Sequence, residues 1–198
     1  MRFLNKRAIV LYSMFILLLP GLVGGVGAVA FADSGTHAKA VVKGGTLTLH
    51  GSGSSARSIV VLSKNTIRTT AYTLPLSVVD ARGNGGGWNL TITSTQFSTG
   101  GVRPQILPLG ASTINASPEV VCTTGNTCTL PVNQVSYVHP LTVPSGAKAP
   151  AAIKFFSAAA GTGLGSFTIT PTITILIPAK SYTGVYKCVV SVTIVSGP

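Results

Sequence analysis

Apolar and polar residues alternate along several stretches of this chain, most clearly over Phe167–Ile177 and Tyr186–Ile194. Alternation with a period of two places successive side chains on opposite faces of a β-strand, with one face apolar. A turn-rich segment, Pro178–Gly184, separates the two stretches. We therefore predict two long strands that pair with each other in antiparallel fashion.

A second pair of alternating stretches flanks a glycine-rich segment in the middle of the chain. Tyr72–Val78 alternates, the segment Asp80–Gly87 follows, and Trp88–Ile92 alternates again. Two such runs joined by a glycine-rich loop are typical of a β-hairpin with one apolar face. The stretch Tyr72–Phe97 is therefore predicted to be a central hairpin, and it carries the only tryptophan of the chain.

The remaining sequence contains short strand-like segments and no sustained helical periodicity. One helical turn is predicted at Ala158–Ala160, where Gly161 would stop it. Short alternating strands separated by turn residues are typical of an antiparallel β-sandwich, immunoglobulin-like or related. We therefore predict an all-β fold, with shorter strands at 46–50, 59–62, 105–109, 112–116, 120–122, 128–130 and 153–156.

The first 32 residues have the organisation of an export signal. A basic start precedes a mostly apolar run, Pro20-Gly21 interrupts it, and Ala30-Phe31-Ala32 fits the small-x-small cleavage pattern. Ala28-Val29-Ala30 also fits, and an uncleaved membrane anchor is the alternative. The proline-glycine break favours cleavage, so we predict a signal peptide at 1–32, a flexible leader at 33–43 and one β domain at 44–198. No stable membrane span is expected after cleavage.

The charge balance of the chain is strongly basic. After removal of residues 1–32, 11 of the 14 Lys and Arg residues remain beside three acidic residues, a net charge of +8. Such a balance favours anionic partners over a range set by salt, although it also serves solubility alone. The basic residues are scattered, without the cluster expected of a nucleic-acid interface, so no nucleic-acid partner is predicted.

The three cysteines suggest one disulfide in an exported chain. Cys122 and Cys128 flank five residues with turn-forming types at their centre, so the two ends of this loop could face each other. We predict that they form a disulfide that pins a hairpin. Cys188 lies in an alternating run and is predicted to behave as a small buried apolar residue.

Few side chains are suited to catalysis. A glycosidase needs two facing carboxylates, and after Asp33 the domain has only Asp80 and Glu119. Cys188 with His139 is the one candidate for a thiol–histidine pair, and the strand pattern points that cysteine inward. The histidines lack metal-ligand spacing. No catalytic residue, cofactor or metal is therefore expected.

Trp88 and its neighbours leave two interpretations open. A lone tryptophan on the inward face of a strand usually belongs to the core. Exposed beside a glycine loop, it would instead stack on a sugar ring or a protein partner. Asp80 and Arg82 are predicted to shape the loop, with Asp80 accepting backbone N–H bonds.

The ordered motifs of the chain resemble the WxL domain family of Gram-positive-type bacterial surface proteins. The first signature is Asp80-Ala81-Arg82-Gly83, glycine spacers, then Trp88-Asn89-Leu90 and Phe97. The similarity continues through 158–171 and the closing Tyr182-Thr183-Gly184, and it spans roughly residues 44–198.

The resemblance implies non-covalent attachment to the cell wall by binding peptidoglycan or anionic wall polymers. It makes Asp80, Arg82, Gly83 and Trp88-Asn89-Leu90 candidate binding residues. The family's second Trp-x-Leu is replaced here by Cys188-Val189-Val190, after Tyr182 and Gly184. If both tryptophans contact the wall this departure removes binding, and if the second is structural a β-branched strand can replace it. A subunit that binds other surface proteins is the alternative function.

Overall fold

The computed structural model describes residues 42–51, 66–136 and 138–198. The predicted export signal, the leader up to residue 41 and the strand predicted at 59–62 lie outside the described residues. No helix occurs in the described part of the chain, and the predicted all-β fold of packed antiparallel sheets is confirmed. The strands are β1 (Leu47–Gly51), β2 (Arg68–Thr73), β3 (Leu76–Asp80), β4 (Trp88–Thr95), β5 (Ser112–Ile114), β6 (Glu119–Cys122), β7 (Cys128–Thr129), β8 (Leu141–Thr142), β9 (Ser145–Gly146), β10 (Ile153–Ala158), β11 (Leu164–Thr170), β12 (Thr172–Ile177) and β13 (Val190–Ser196).

The strands form three sheets. Sheet I has the order β1-β3-β11-β6, with β7 also paired to β11. Sheet II has the order β10-β4-β13, with β9 parallel to β4. Sheet III has the order β2-β12-β5-β8. Among the described residues, none forms a helix long and apolar enough to cross a membrane.

Two prolines bend a long antiparallel ribbon so that it belongs to two sheets. The chain from β2 to β3 pairs with the chain from β11 to β12, and Pro75 and Pro171 lie where the strands break. The N–H of Leu74 donates to the carbonyl of Pro171 at 3.0 Å, which holds the two bends together. Since proline has no N–H and restricts its neighbours, the single strands predicted across these positions are each two strands.

Both predicted hairpins are wrong in their pairing. β3 lies in sheet I and β4 in sheet II, so the glycine-rich segment between them crosses from one sheet to the other. Likewise β12 lies in sheet III, whereas β13 pairs with β4 in sheet II. Alternation correctly identifies the apolar face of each strand. It does not identify the partner, because faces that meet across a sandwich alternate just as paired strands do.

The cysteine loop is a detour within one edge of sheet I. The predicted disulfide between Cys122 and Cys128 is present, with 5.9 Å between the two Cα atoms. β6 and β7 do not pair with each other; both run antiparallel to β11, one after the other. The disulfide therefore closes the base of a loop that interrupts an edge strand, which corrects the predicted hairpin.

The helical turn predicted at Ala158–Ala160 is also corrected. Ala158 ends β10, and the next residues form a tight turn in which Thr162 N–H donates to the carbonyl of Ala159 at 3.1 Å. The strands predicted near 46–50, 112–116, 120–122, 128–130 and 153–156 correspond to β1, β5, β6, β7 and β10. The segment predicted at 105–109 contributes only an isolated bridge between Ile106 and Ser98.

The core lies between the inner faces of the sheets. Trp88 of sheet II stacks on Phe167 of sheet I at 5.6 Å between ring centroids, and on Phe156 at 5.5 Å. The other large, fully buried side chains are aliphatic or aromatic: Leu76, Val78, Leu90, Ile92, Ile114, Val143, Phe155, Ile169 and Ile173. The inner faces of the sheets are thus mainly apolar, although a few polar residues are buried as well: Asp80, Asn89, Thr93, Ser94, Ser112 and Ser157.

Candidate functional site

A bidentate ion pair organises the crossover between sheets I and II. Nε of Arg82 donates to Oδ1 of Asp80 at 2.9 Å, and Nη2 donates to Oδ2 at 2.8 Å. The backbone N–H of Arg82 donates to Oδ1 as well, at 3.1 Å. The prediction that Asp80 shapes the loop by accepting a backbone N–H bond is confirmed. The Asp80 side chain is fully buried and the Arg82 side chain is 13% exposed, so the two groups bind each other in a fixed geometry instead of binding water.

The guanidinium also ties the crossover to its surroundings. Nη2 of Arg82 donates to the carbonyl of Gly87 at 2.7 Å, and Nη1 donates to the hydroxyl of Ser196 at the end of β13. The backbone of Ala81 exchanges hydrogen bonds with Gly45 and Thr46 ahead of β1. The segment from Ala81 to Gly87 is therefore fastened at both its ends.

The same contacts shift the acid–base behaviour of the pair. Burial alone would raise the pKa of Asp80, but the hydrogen bonds and positive charge of Arg82 outweigh it and hold that pKa below its ordinary value. The hydrogen bonds from Asp80 raise the pKa of Arg82 in turn. Asp80 is thus a charged structural group at neutral pH and has no proton available for catalysis.

Trp88 follows the crossover and belongs to the core. Its side chain is fully buried between two phenylalanines, and Nε1 donates to the carbonyl of Gly163 at 2.9 Å. Of the two interpretations left open by the sequence, the exposed stacking platform is excluded. A Cβ at Gly163 would lie 2.8 Å from Nε1, and the φ of +69° also favours glycine there, so the glycine at this position makes room for the indole.

The other residues of the first signature are structural as well. Leu90 is fully buried, and Asn89 is 9% exposed with its amide donating to the carbonyl of Gly197 at 2.9 Å. Gly83 adopts a φ of +69° in the crossover. Asp80, Trp88 and Leu90 are inaccessible, so a ligand on the surface of this fold would contact other residues.

The stretch that replaces the second Trp-x-Leu also lies against the domain. Tyr182 is exposed, and its carbonyl accepts from the hydroxyl of Tyr186 at 2.9 Å. A Cβ at Gly184 would lie 2.8 Å from the methyl group of Thr99. Val190 opens β13 and packs against the core.

Cys188 of that stretch is a half-buried free thiol. Burial raises its pKa to about 11, and burial together with Cys188 raises the pKa of Tyr72. The prediction of a small, inward apolar residue is thus confirmed in part. A thiol with this pKa is protonated at neutral pH, which disfavours the thiol–histidine reaction considered above.

The two carboxylates of the described residues lie far apart. Asp80 pairs with Gly165, and Glu119 pairs with Thr170 at the other end of β11. Five residues of strand separate these positions by roughly 17 Å, more than the spacing of either glycosidase mechanism. No group of three or more possible metal ligands is found among the described residues.

The outer face of sheet III presents a broad array of hydroxyl groups. Thr174 pairs with Thr113, which pairs with Thr142 on the next strand, and Thr73 pairs with Thr172 in the adjacent row. We call these five residues the threonine face. Thr73, Thr142 and Thr172 are exposed, and the amide of Asn115 donates to the hydroxyl of Thr174 at 2.9 Å.

Positive charges on the described surface have almost no acidic partners. The pair Asp80–Arg82 is the one ion pair of the described residues. The remaining described Lys and Arg side chains therefore stay uncompensated: Lys43, Arg68, Arg103, Lys148, Lys154, Lys180 and Lys187.

Comparison with known proteins does not assign the chain to a family. A scan against protein-family models finds no match, and searches of curated proteins and of solved structures find none either.

Proposed function

We propose that this protein is a secreted, non-catalytic component of the bacterial cell surface, held non-covalently on the cell wall by its β domain. The observation that carries the proposal is the threonine face together with the uncompensated cations. Exposed hydroxyls donate and accept hydrogen bonds, as sugar hydroxyls and amides require. The threonine face extends over four strands, and an extended face suits a polymer, whereas small ligands are usually enclosed by concave sites.

The proposed ligand is peptidoglycan or an anionic wall polymer attached to it. Glycan strands would lie across the threonine face, and the scattered lysines and arginines would attract phosphate or carboxylate groups of the wall. The buried crossover with Asp80, Arg82 and Trp88 contributes by holding the sheets in place. This assignment agrees with the family resemblance and moves the contact surface away from the signature residues.

Sedimentation of the full chain with purified, protein-stripped bacterial walls tests the proposal. We expect T73V/T172V to weaken wall binding about thirtyfold, because two hydroxyls worth about 1 kcal/mol each are lost while the shape is preserved. T48V/S77A, which removes two hydroxyls from the outer face of sheet I, is the matched control and should bind like the wild type. Failure of the wild-type protein to bind walls would refute the proposed function. An equal loss of wall binding in both variants would refute the role of the threonine face as the binding surface.

One observation favours the alternative, a subunit that binds other surface proteins. Ser98 forms bridges with both Ile106 and Lys187, and Val102, Val185 and Val189, which are close to these residues along the chain, are between 64% and 100% exposed. Exposed apolar surface is a common feature of protein contacts. Retention on intact cell surfaces but not on protein-stripped walls would support this alternative.

A further inference from the structure

The two edges of sheet II differ in whether another segment of the described chain hydrogen-bonds to their outward backbone groups. At the β10 edge, Gln134 N–H donates to the carbonyl of Ser157 at 2.7 Å, and Ala159 N–H donates to the carbonyl of Val132 at 2.9 Å. The side chain of Asn133 accepts from Ser157 N–H at 3.0 Å. The C-terminal end of this edge is therefore covered by the segment 132–134.

The β13 edge has no such cover among the described residues. Val189 and Gly197, which bracket the strand, bond toward the β4 side, and the register between them is unbroken. The backbone groups of Val190, Val192, Ile194 and Ser196 consequently point away from β4. β1 approaches β13 without pairing with it.

The side chains of β13 do not block the addition of another strand at its open edge. The strand Val190–Ser196 contains no charged residue, no proline and no bulge, the features with which proteins commonly block open strand edges. Ser191, Thr193 and Val195 are exposed on its outer side. Such an edge is a ready template for another strand.

We propose that β13 pairs antiparallel with β13 of a second copy of this chain, on a two-fold axis at Thr193. This register sets Val192 opposite Ile194 of the second copy and Val190 opposite Ser196, so every outward backbone group of the strand gains a partner. Thr193 faces its own counterpart, a β-branched pair that suits a strand. The two copies of sheet II become one continuous sheet across the dimer.

The distribution of charge is compatible with self-pairing despite the basic character of the chain. Lys154 is the charged residue in the row through Thr193, reached across Thr91 of β4. In the dimer, five strand spacings of about 4.8 Å place the two Lys154 residues roughly 24 Å apart, well beyond the Debye length of about 8 Å at physiological salt. Lys187 lies outside the paired residues, because its opposite position would fall beyond the end of the strand.

Sedimentation equilibrium of the purified full chain tests the dimer. The wild type should dimerise, and T193K should weaken the dimer about tenfold or more because two ammonium groups then meet on the axis. T172K adds the same charge at an exposed threonine of sheet III and should dimerise like the wild type. A monomeric wild type at the highest soluble concentration, or equal dissociation of both variants, would overturn the proposal.

Cysteine cross-linking tests the register on folded protein. In a C188S background, T193C should oxidise readily to a covalent dimer, because residues facing each other on the axis have Cβ atoms about 5 Å apart. S191C should cross-link at least several-fold more slowly, since Ser191 faces Val195 of the second copy. Equal rates for the two variants would overturn the axis at Thr193.

Discussion

At the scale of single residues, Trp88 joins sheets I and II, because its ring stacks on Phe167 of the facing sheet. Trp88→Ala removes an indole with no exposed surface, two ring contacts and one hydrogen bond. We expect a loss of about 3–5 kcal/mol in the free energy of unfolding, measured by urea denaturation with circular dichroism. Trp88→Phe, the control, keeps an aromatic ring in place and should lose clearly less. A loss below about 1 kcal/mol for Trp88→Ala would contradict the burial of the indole.

Asp80 gives the stability of the domain a defined pH dependence. Its pKa in the folded state lies below its value in the unfolded chain. The ion pair therefore stabilises the fold fully at pH values above the unfolded pKa near 4, and that stabilisation is lost as the pH falls through the folded pKa.

Urea denaturation between pH 7 and pH 2 measures this effect. The wild type should lose stability in the acidic part of the range. Asp80→Asn, which cannot ionise, should be less stable at pH 7 and should show a flatter profile at low pH. Parallel profiles for the two proteins would show that Asp80 is not the group responsible.

At the scale of elements, the sequence predicts strands better than their partners. The alternation around Leu76 and Leu90 identifies inward side chains correctly, yet the two strands lie in different sheets. Alternation with a period of two identifies which face of a strand is buried, whereas the choice of the neighbouring strand depends on contacts between distant residues. One local signal was available: Pro75 and Pro171 interrupt the alternating runs and could have indicated the bends.

The cysteine loop allows a prediction for one element. Its disulfide closes seven residues, so C122S/C128S should lower the free energy of unfolding by about 2 kcal/mol through the entropy of the unfolded chain. Thermal unfolding should show the same loss when the wild type is reduced. The double variant should not respond to reductant, and a response would point to another thiol.

At the scale of the whole molecule, the composition predicts which residue types lie on the surface, but not where on the surface they lie. Many threonines and few acids predict a hydroxyl-rich, basic exterior, and the outer faces of the sheets carry such residues. The threonine face itself could not be predicted, because Thr73, Thr113 and Thr142 come together only through pairing across sheet III. The alternating pattern already favoured an inward Trp88, whereas the burial of the Asp80 carboxylate could not be predicted from the sequence.

Salt dependence tests the proposed wall attachment at this scale. Raising the ionic strength from about 0.1 M to about 1 M shortens the Debye length from about 10 Å to about 3 Å, so attraction between scattered cations and anionic wall polymers should weaken strongly. Sedimentation with walls should then show less bound protein, while walls stripped of their anionic polymers should show little change. If salt does not change binding to either kind of wall, the lysines and arginines do not contribute to wall attachment.

The bent ribbon has a consequence for when the chain can fold. Leu76 finds its partner Ile169 only after more than ninety intervening residues, so the pairing of β3 with β11 cannot form until residue 169 has been synthesised. Topologies dominated by such distant contacts acquire their structure slowly. If the protein is exported as proposed, the polypeptide would remain extended while it passes through a translocation pore and would become compact only on the far side.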